Sequence, residues 1–178
     1  MLPLFEGLLA YLCGDLKKNI DWFNRCSEET PWYYKRFYDT LAVCTLFSAG
    51  YLQQFHFALG CIEFLRRTAT LTDDILSATL YEVNTCFLLL RKGDWDEALN
   101  HLDFLFSCTH PVENPKIFSS TVRGLALYHY LNGRLDAAYR ILRRETENAI
   151  AAGSPHSPFV DPYILDMLYG FTRAGYPE

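Results

Sequence analysis

The chain has 178 residues, 50% hydrophobic and 21% charged, which fits one globular domain with a sizeable core and excludes a disordered or fibrous chain. Its net charge of −5 and pI near 5.5 argue against a nucleic-acid footprint spread over the domain. No run of eighteen uncharged apolar residues is available to cross a bilayer.

In chain order, the first predicted element is an apolar helix ending at Cys13. The segment lacks a basic start, carries Glu6 and reaches Gly14-Asp15 without a small-x-small cleavage pattern, so it reads as a structural helix and not a secretion signal. The expected location is the cytoplasm. Gly14 closes this helix and Leu16 opens the second. Thr30-Pro31 reads as an N-cap followed by proline at the first helical position. The next helix takes in Trp32-Tyr33-Tyr34-Lys35-Arg36-Phe37-Tyr38, a mixture suited to stacking on bases or lying on a membrane. Helical periodicity spreads that run over several faces, so it is assigned to an ordinary first helix running to a turn at Gly50.

The helix after Gly50 carries Glu63 and Arg67 in the acid-before-base order at i, i+4. Thr72-Asp73-Asp74 offers a cap for a helix over 73–91, which stops at Gly93. A helix to Cys108, a break over Thr109–Pro115, and a helix ending at Gly133 follow. Beyond them comes another helix, with Asp136 and Arg140 paired as Glu63 and Arg67 are. Gly153-Ser154-Pro155-His156-Ser157-Pro158 reads as a linker, and Asp161-Pro162 restarts a helix that stops near Gly175. No long alternating pattern is present, so the fold class is all-α with about nine helices. The expected organisation is a helical-hairpin array over 1–152 with turns at 14, 50, 93 and 133, a linker over 153–161, and a C-terminal capping helix and tail over 162–178.

Repetition is the strongest signal. The four turn glycines lie 36, 43 and 40 residues apart. Glycine just past a helix can take the left-handed conformation that closes a C-terminus. Two residues on stands a large apolar residue (Leu16, Leu52, Trp95, Leu135) that can pack back across the turn. Gly7, Cys86 and Ala126, seven residues before three of the glycines, are small enough to let the second helix approach, and Ala98 and Ala138 match them from the other side.

On these residues the chain resembles the tetratricopeptide repeat family. The best unit runs from Tyr81 to Leu105, with Cys86, Gly93, Trp95, Ala98 and Leu102 at the family's positions; the next uses Ala126, Gly133, Leu135, Ala138 and Leu142. The first hairpin keeps Gly7, Gly14, Leu16 and Phe23 but has Asn19 where alanine is usual. The second has Val43 at the small position and Phe55 at the alanine position. The units exceed the family's usual 34 residues, and most lack its closing proline. Such longer units, and the phrase Tyr130–Ala138, are similar to helical arrays of large bacterial signal-responsive transcription regulators. The resemblance implies a right-handed superhelical array of about four hairpins whose first helices line a concave groove. Its expected lining includes Tyr11, Phe37, Phe47, Val83, Phe87, Leu90, Arg123, Leu127 and Tyr130. Two arrangements stay open: the groove holds a partner helix or apolar ligand, or the array closes on itself or is filled by the 162–174 helix.

Catalytic signatures are absent: no phosphate-binding glycine loop, no Gly-x-Ser-x-Gly and no His-Glu-x-x-His. Glu97, His101 and Cys108 share a helix face by spacing, yet three ligands on one helix make a poor metal or Cys–His site. The six cysteines form no Cys-x-x-Cys and read as small buried hydrophobes in a reducing compartment. The expectation is therefore a non-catalytic protein-binding scaffold with no cofactor and no metal, the repeat module of a larger bacterial regulatory protein. The alternative is an effector-sensing domain holding a small apolar or sugar-like ligand. Expected partners are a protein helix or peptide segment, and a second copy through an exposed apolar N-terminal face. No direct nucleic-acid contact and no membrane association are expected.

Overall fold

A computed structural model describes residues 2–27, 35–71, 75–151 and 162–177. The described residues form nine helices and no strand. Thr30-Pro31, Trp32-Tyr33-Tyr34, Thr72-Asp73-Asp74 and the 153–161 linker lie outside them. The chain divides into two compact units, 1–81 and 82–178, and the C-terminal helix belongs to the second.

In the first unit, α1 (Leu2–Leu12) and α2 (Leu16–Ser27) form one hairpin and α3 (Lys35–Tyr51) and α4 (Phe55–Leu71) a second, with α3 packed on both α1 and α2. α5 (Ile75–Lys92) crosses the unit boundary and leads into α6 (Trp95–Cys108). In the second unit α7 (Pro115–Leu131) pairs with α8 (Leu135–Ala151), and α7 also carries α6 and α9 (Pro162–Arg173). Pro115 begins α7 where its missing N–H is no loss.

The turns show why these hairpins close. Gly14, Gly93 and Gly133 take φ of 78°, 96° and 72°. The following N–H reaches back five residues in each case, Asp15 to Ala10 O (2.8 Å), Asp94 to Leu89 O (3.0 Å) and Arg134 to His129 O (2.9 Å). This satisfies carbonyls that the helix end would leave bare. The second turn is not at Gly50. Gly50 stays helical and buried, and Gln53 takes the left-handed conformation at φ 59°, with Gln54 N–H on Ala49 O at 2.8 Å. The turns therefore stand at 14, 53, 93 and 133, at intervals of 39, 40 and 40. In this register Phe55 is the bulky residue after the turn and Ala58 the small one on the second helix, replacing Leu52 and Phe55 in those places. α9 ends in the same way, with Gly175 at φ 81° and Tyr176 N–H on Phe171 O at 3.0 Å. It terminates as the first helix of a hairpin does.

Small residues then set how closely the helices pack. A methyl group added at Gly7 would stand 2.7 Å from Leu41 Cδ1 and 3.0 Å from Trp22 Cβ, so any side chain there would have to displace the buried Leu41 methyl and crowd Trp22. Ala58, Ala98 and Ala138 are fully buried, with Ile62, Leu65, Leu102, Leu105 and Leu142 following them on the second helices.

Candidate functional site

The expected groove lining separates by burial. Val83, Phe87, Leu90 and Leu127 are only 1–3% exposed and belong to the packed interior. Tyr11 and Phe47 in the first unit, and Arg123 and Tyr130 in the second, are half-buried. The Phe37 side chain lies outside those described. In the corrected register Phe47 corresponds to Leu8, Phe87 and Leu127, and half-buried Val43 corresponds to Val83 and Arg123.

At the end of the second unit the lining is covered. The Tyr130 ring meets Phe171 of α9 edge-on at 5.7 Å, and its hydroxyl donates to the Asp166 carbonyl at 3.3 Å. A methyl group at Gly170 would fall inside the Tyr130 phenol, so glycine is what lets α9 lie against α7. Arg91 of α5 reaches the Asp166 carboxylate at 3.3 Å. Tyr139 and Tyr176 complete an aromatic cluster with Phe171 at centroid distances of 4.9–5.6 Å. The tail is tied down by Tyr176 Oη donating to Asp136 Oδ1 (2.5 Å) and Tyr139 Oη donating to the Pro177 carbonyl (3.2 Å). Asp166, Gly170, Phe171 and Tyr176 were not among the expected site residues. The signal for them was Gly175, which continues the turn series 42 residues after Gly133.

Arg123 faces inward, its Nε 3.6 Å from Glu145 Oε2, while Ser119 Oγ donates to the other Glu145 oxygen. Glu145 is 8% exposed at the position where Leu65 and Leu105 stand in other hairpins. The pair is thus internal to the α7–α8 hairpin.

The one-face cluster of Glu97, His101 and Cys108 does not assemble. His101 Nδ1 pairs with Glu82 Oε2 of α5 at 3.0 Å, Cys108 Sγ turns to the Leu105 carbonyl, and Glu97 is exposed. Among the described residues no three His, Cys, Asp or Glu side chains converge as metal ligands. The expected Asp136–Arg140 ion pair is replaced by Arg140 Nε on the Asp136 backbone carbonyl (3.2 Å), since the carboxylate serves Tyr176. Arg67's side chain lies outside those described; Glu63 pairs with Arg66 at 3.5 Å.

All six cysteines are free thiols, four of them buried, while Cys13 and Cys108 are exposed, contrary to the expectation of uniform burial. Burial pushes the thiols of Cys44, Cys61 and Cys86 up to about 12. A neutral thiol is a poor nucleophile, so these side chains act as packing groups. Cys86 Sγ approaches the Ala98 carbonyl at 3.6 Å, joining α5 to α6.

Among the described residues no helix is long and apolar enough to cross a membrane. No protein-family model, curated protein or solved structure matches the chain.

Proposed function

We propose that this chain is a tetratricopeptide-repeat-like scaffold without catalytic activity that binds a helical or extended segment of another protein. The observation that carries the reading is the regular recurrence of one hairpin unit. Left-handed turns stand at 14, 53, 93 and 133, and each is followed by a bulky residue two positions on. Repeats of this kind expend their sequence on stacking and present side chains of their first helices as an extended recognition surface. Tyr11 and Phe47, half-buried on the first helices of the first unit, are the aromatic anchors of that surface. The similarity of Tyr130–Ala138 to the arrays of bacterial regulators supports a regulatory setting for the binding.

The test uses a defined probe. Helical peptides selected from a random display library against the full chain are measured by titration against Tyr11→Ala and Phe47→Ala. Each substitution is expected to weaken binding at least about tenfold, as truncating an aromatic anchor does, while Arg143→Ala on the exposed face of α8 leaves it unchanged. Peptides indifferent to both aromatic substitutions would overturn the assignment of this surface. Binding of a sugar or small apolar metabolite lost on Phe47→Ala would favour effector sensing instead.

A further inference from the structure

On α9, Asp166, Met167, Gly170 and Phe171 share one side of the helix, at i, i+1, i+4 and i+5. Met167 and Phe171 are 0% and 3% exposed there, whereas Leu165, Leu168 and Tyr169 are exposed. Asp166 makes two links from that side. Its carboxylate meets Arg91 of α5 at 3.3 Å, and its backbone carbonyl accepts from the Tyr130 hydroxyl of α7, also at 3.3 Å. One residue thus bridges two consecutive first helices of the second unit. Units of a stacked array touch only their neighbours, yet α9 reaches past α7 to α5. It lies over the face that these two first helices make together, as a segment bound to that face would lie.

The seat selects for chemistry in three places. Arg91 takes a carboxylate. Tyr130 takes a residue without a side chain, since a methyl group on Gly170 would fall inside its phenol. Tyr130 and Tyr139 together take an aromatic ring, with Phe171 edge-on to them at 5.7 and 5.6 Å. The Arg91–Asp166 pair is partly open to water, which weakens its hold on α9. The buried apolar hold is Met167 and Phe171, and another helix can supply side chains of that kind.

We propose that α9 is a built-in occupant of the recognition face of the second unit, and that a partner binds there by displacing it. The partner is a helical segment with the chemistry of α9: a carboxylate, a glycine four residues on, and an aromatic residue directly after the glycine. The proposal rests on the scaffold reading, in which side chains of first helices form the recognition surface, and it adds regulation to that surface. Held in the same chain, α9 competes at an effective concentration on the order of millimolar, so weak partners are refused.

A fluorescent peptide of residues 162–177, titrated with the full chain and followed by anisotropy, tests this. Gly170→Leu in the chain sets a side chain against the Tyr130 phenol and is expected to unseat α9. The peptide keeps its glycine. It should bind that variant at least about tenfold more tightly than wild type, where α9 competes. Asp166→Arg in the peptide should weaken binding to the variant several-fold, and Arg91→Asp added to the chain should restore it. Equal binding to wild type and to Gly170→Leu overturns the proposal, because the peptide then sits elsewhere. So does a Gly170→Leu chain that keeps its fold by circular dichroism and melting but binds no peptide, and so does a charge exchange that fails to restore binding. Should Gly170→Leu unfold, Asp166→Arg in the chain repeats the test. Loss of the fold in both overturns the proposal, because α9 is then part of the core. The peptide is the chain's own segment, so a failure here leaves binding at Tyr11 and Phe47 to be decided by the library peptides.

Discussion

Asn19 is completely buried at the position held by Ala58, Ala98 and Ala138 in the other hairpins. A primary amide there would be costly without partners. Its Nδ2 donates to the Gly7 carbonyl at 3.0 Å and its Oδ1 accepts from the Ser48 hydroxyl at 2.9 Å, so α1, α2 and α3 meet on one side chain. Asn19→Ala removes both bonds and leaves the Ser48 hydroxyl to the Cys44 carbonyl alone (3.0 Å), and is expected to lower unfolding stability by about 1–3 kcal/mol in urea titration. Adding Ser48→Ala should cost less than the sum of the two single changes, because each single change already removes the bond that Asn19 and Ser48 share. Additive losses would mean that the two bonds do not work as one network. The departure at Asn19 is plain in the sequence. Its partner was hidden, because Ser48 lies 29 residues away and is aligned with it only by how α3 stacks.

At the scale of the element, hairpin ends decide the register, and one of them was misplaced by sequence reasoning. Glycine is the residue that most readily takes positive φ, so a helix running into Gly50 invites a stop there. The α3 helix instead continues because Phe55 and Ala58 must reach the bulky and small positions of the next helix, and that fixes the turn at Gln53. An L-residue in the left-handed region costs roughly 1–2 kcal/mol, and glycine's greater chain entropy returns about half of that. Gln53→Gly is therefore expected to raise stability by up to about 1 kcal/mol, seen as a melting temperature higher by a few degrees. Gly133→Ala, at φ 72°, should lower it by a similar amount. A melting temperature that falls on Gln53→Gly would contradict the placement of this turn. The other three turns were legible because their glycines do occupy the left-handed position. The end of α9 was legible too, at Gly175, though not the aromatic cluster that Tyr176 joins, since that depends on which helix the tail folds against.

At the scale of the molecule, the all-helical architecture followed from the sequence because apolar spacing and turn residues agree. The groove lining was only partly legible. Counting back from a turn locates a helix face, but whether that face is open depends on the neighbouring helices, which is why Val83, Phe87 and Leu90 turned out buried while Tyr11 and Phe47 are half-buried. The same enclosure has a consequence for both units at high pH. Cys44 and Cys61 lie in the first unit and Cys86 in the second, and burial pushes each thiol from 9.0 up to about 12. Unfolded thiols lose their protons from about pH 9 upward, whereas the folded ones hold theirs until near 12. The unfolded chain then binds fewer protons, so stability is intact below about pH 9 and declines as pH rises toward 12. Urea midpoints of the wild type should thus fall more steeply between about pH 9 and 11 than those of a Cys44→Ala, Cys61→Ala, Cys86→Ala variant. Lysine and tyrosine titration is common to both chains and cancels in the comparison. Parallel declines would mean that the three thiols reach water before the chain unfolds, and that the cores of these helical hairpins open more readily than their packing implies.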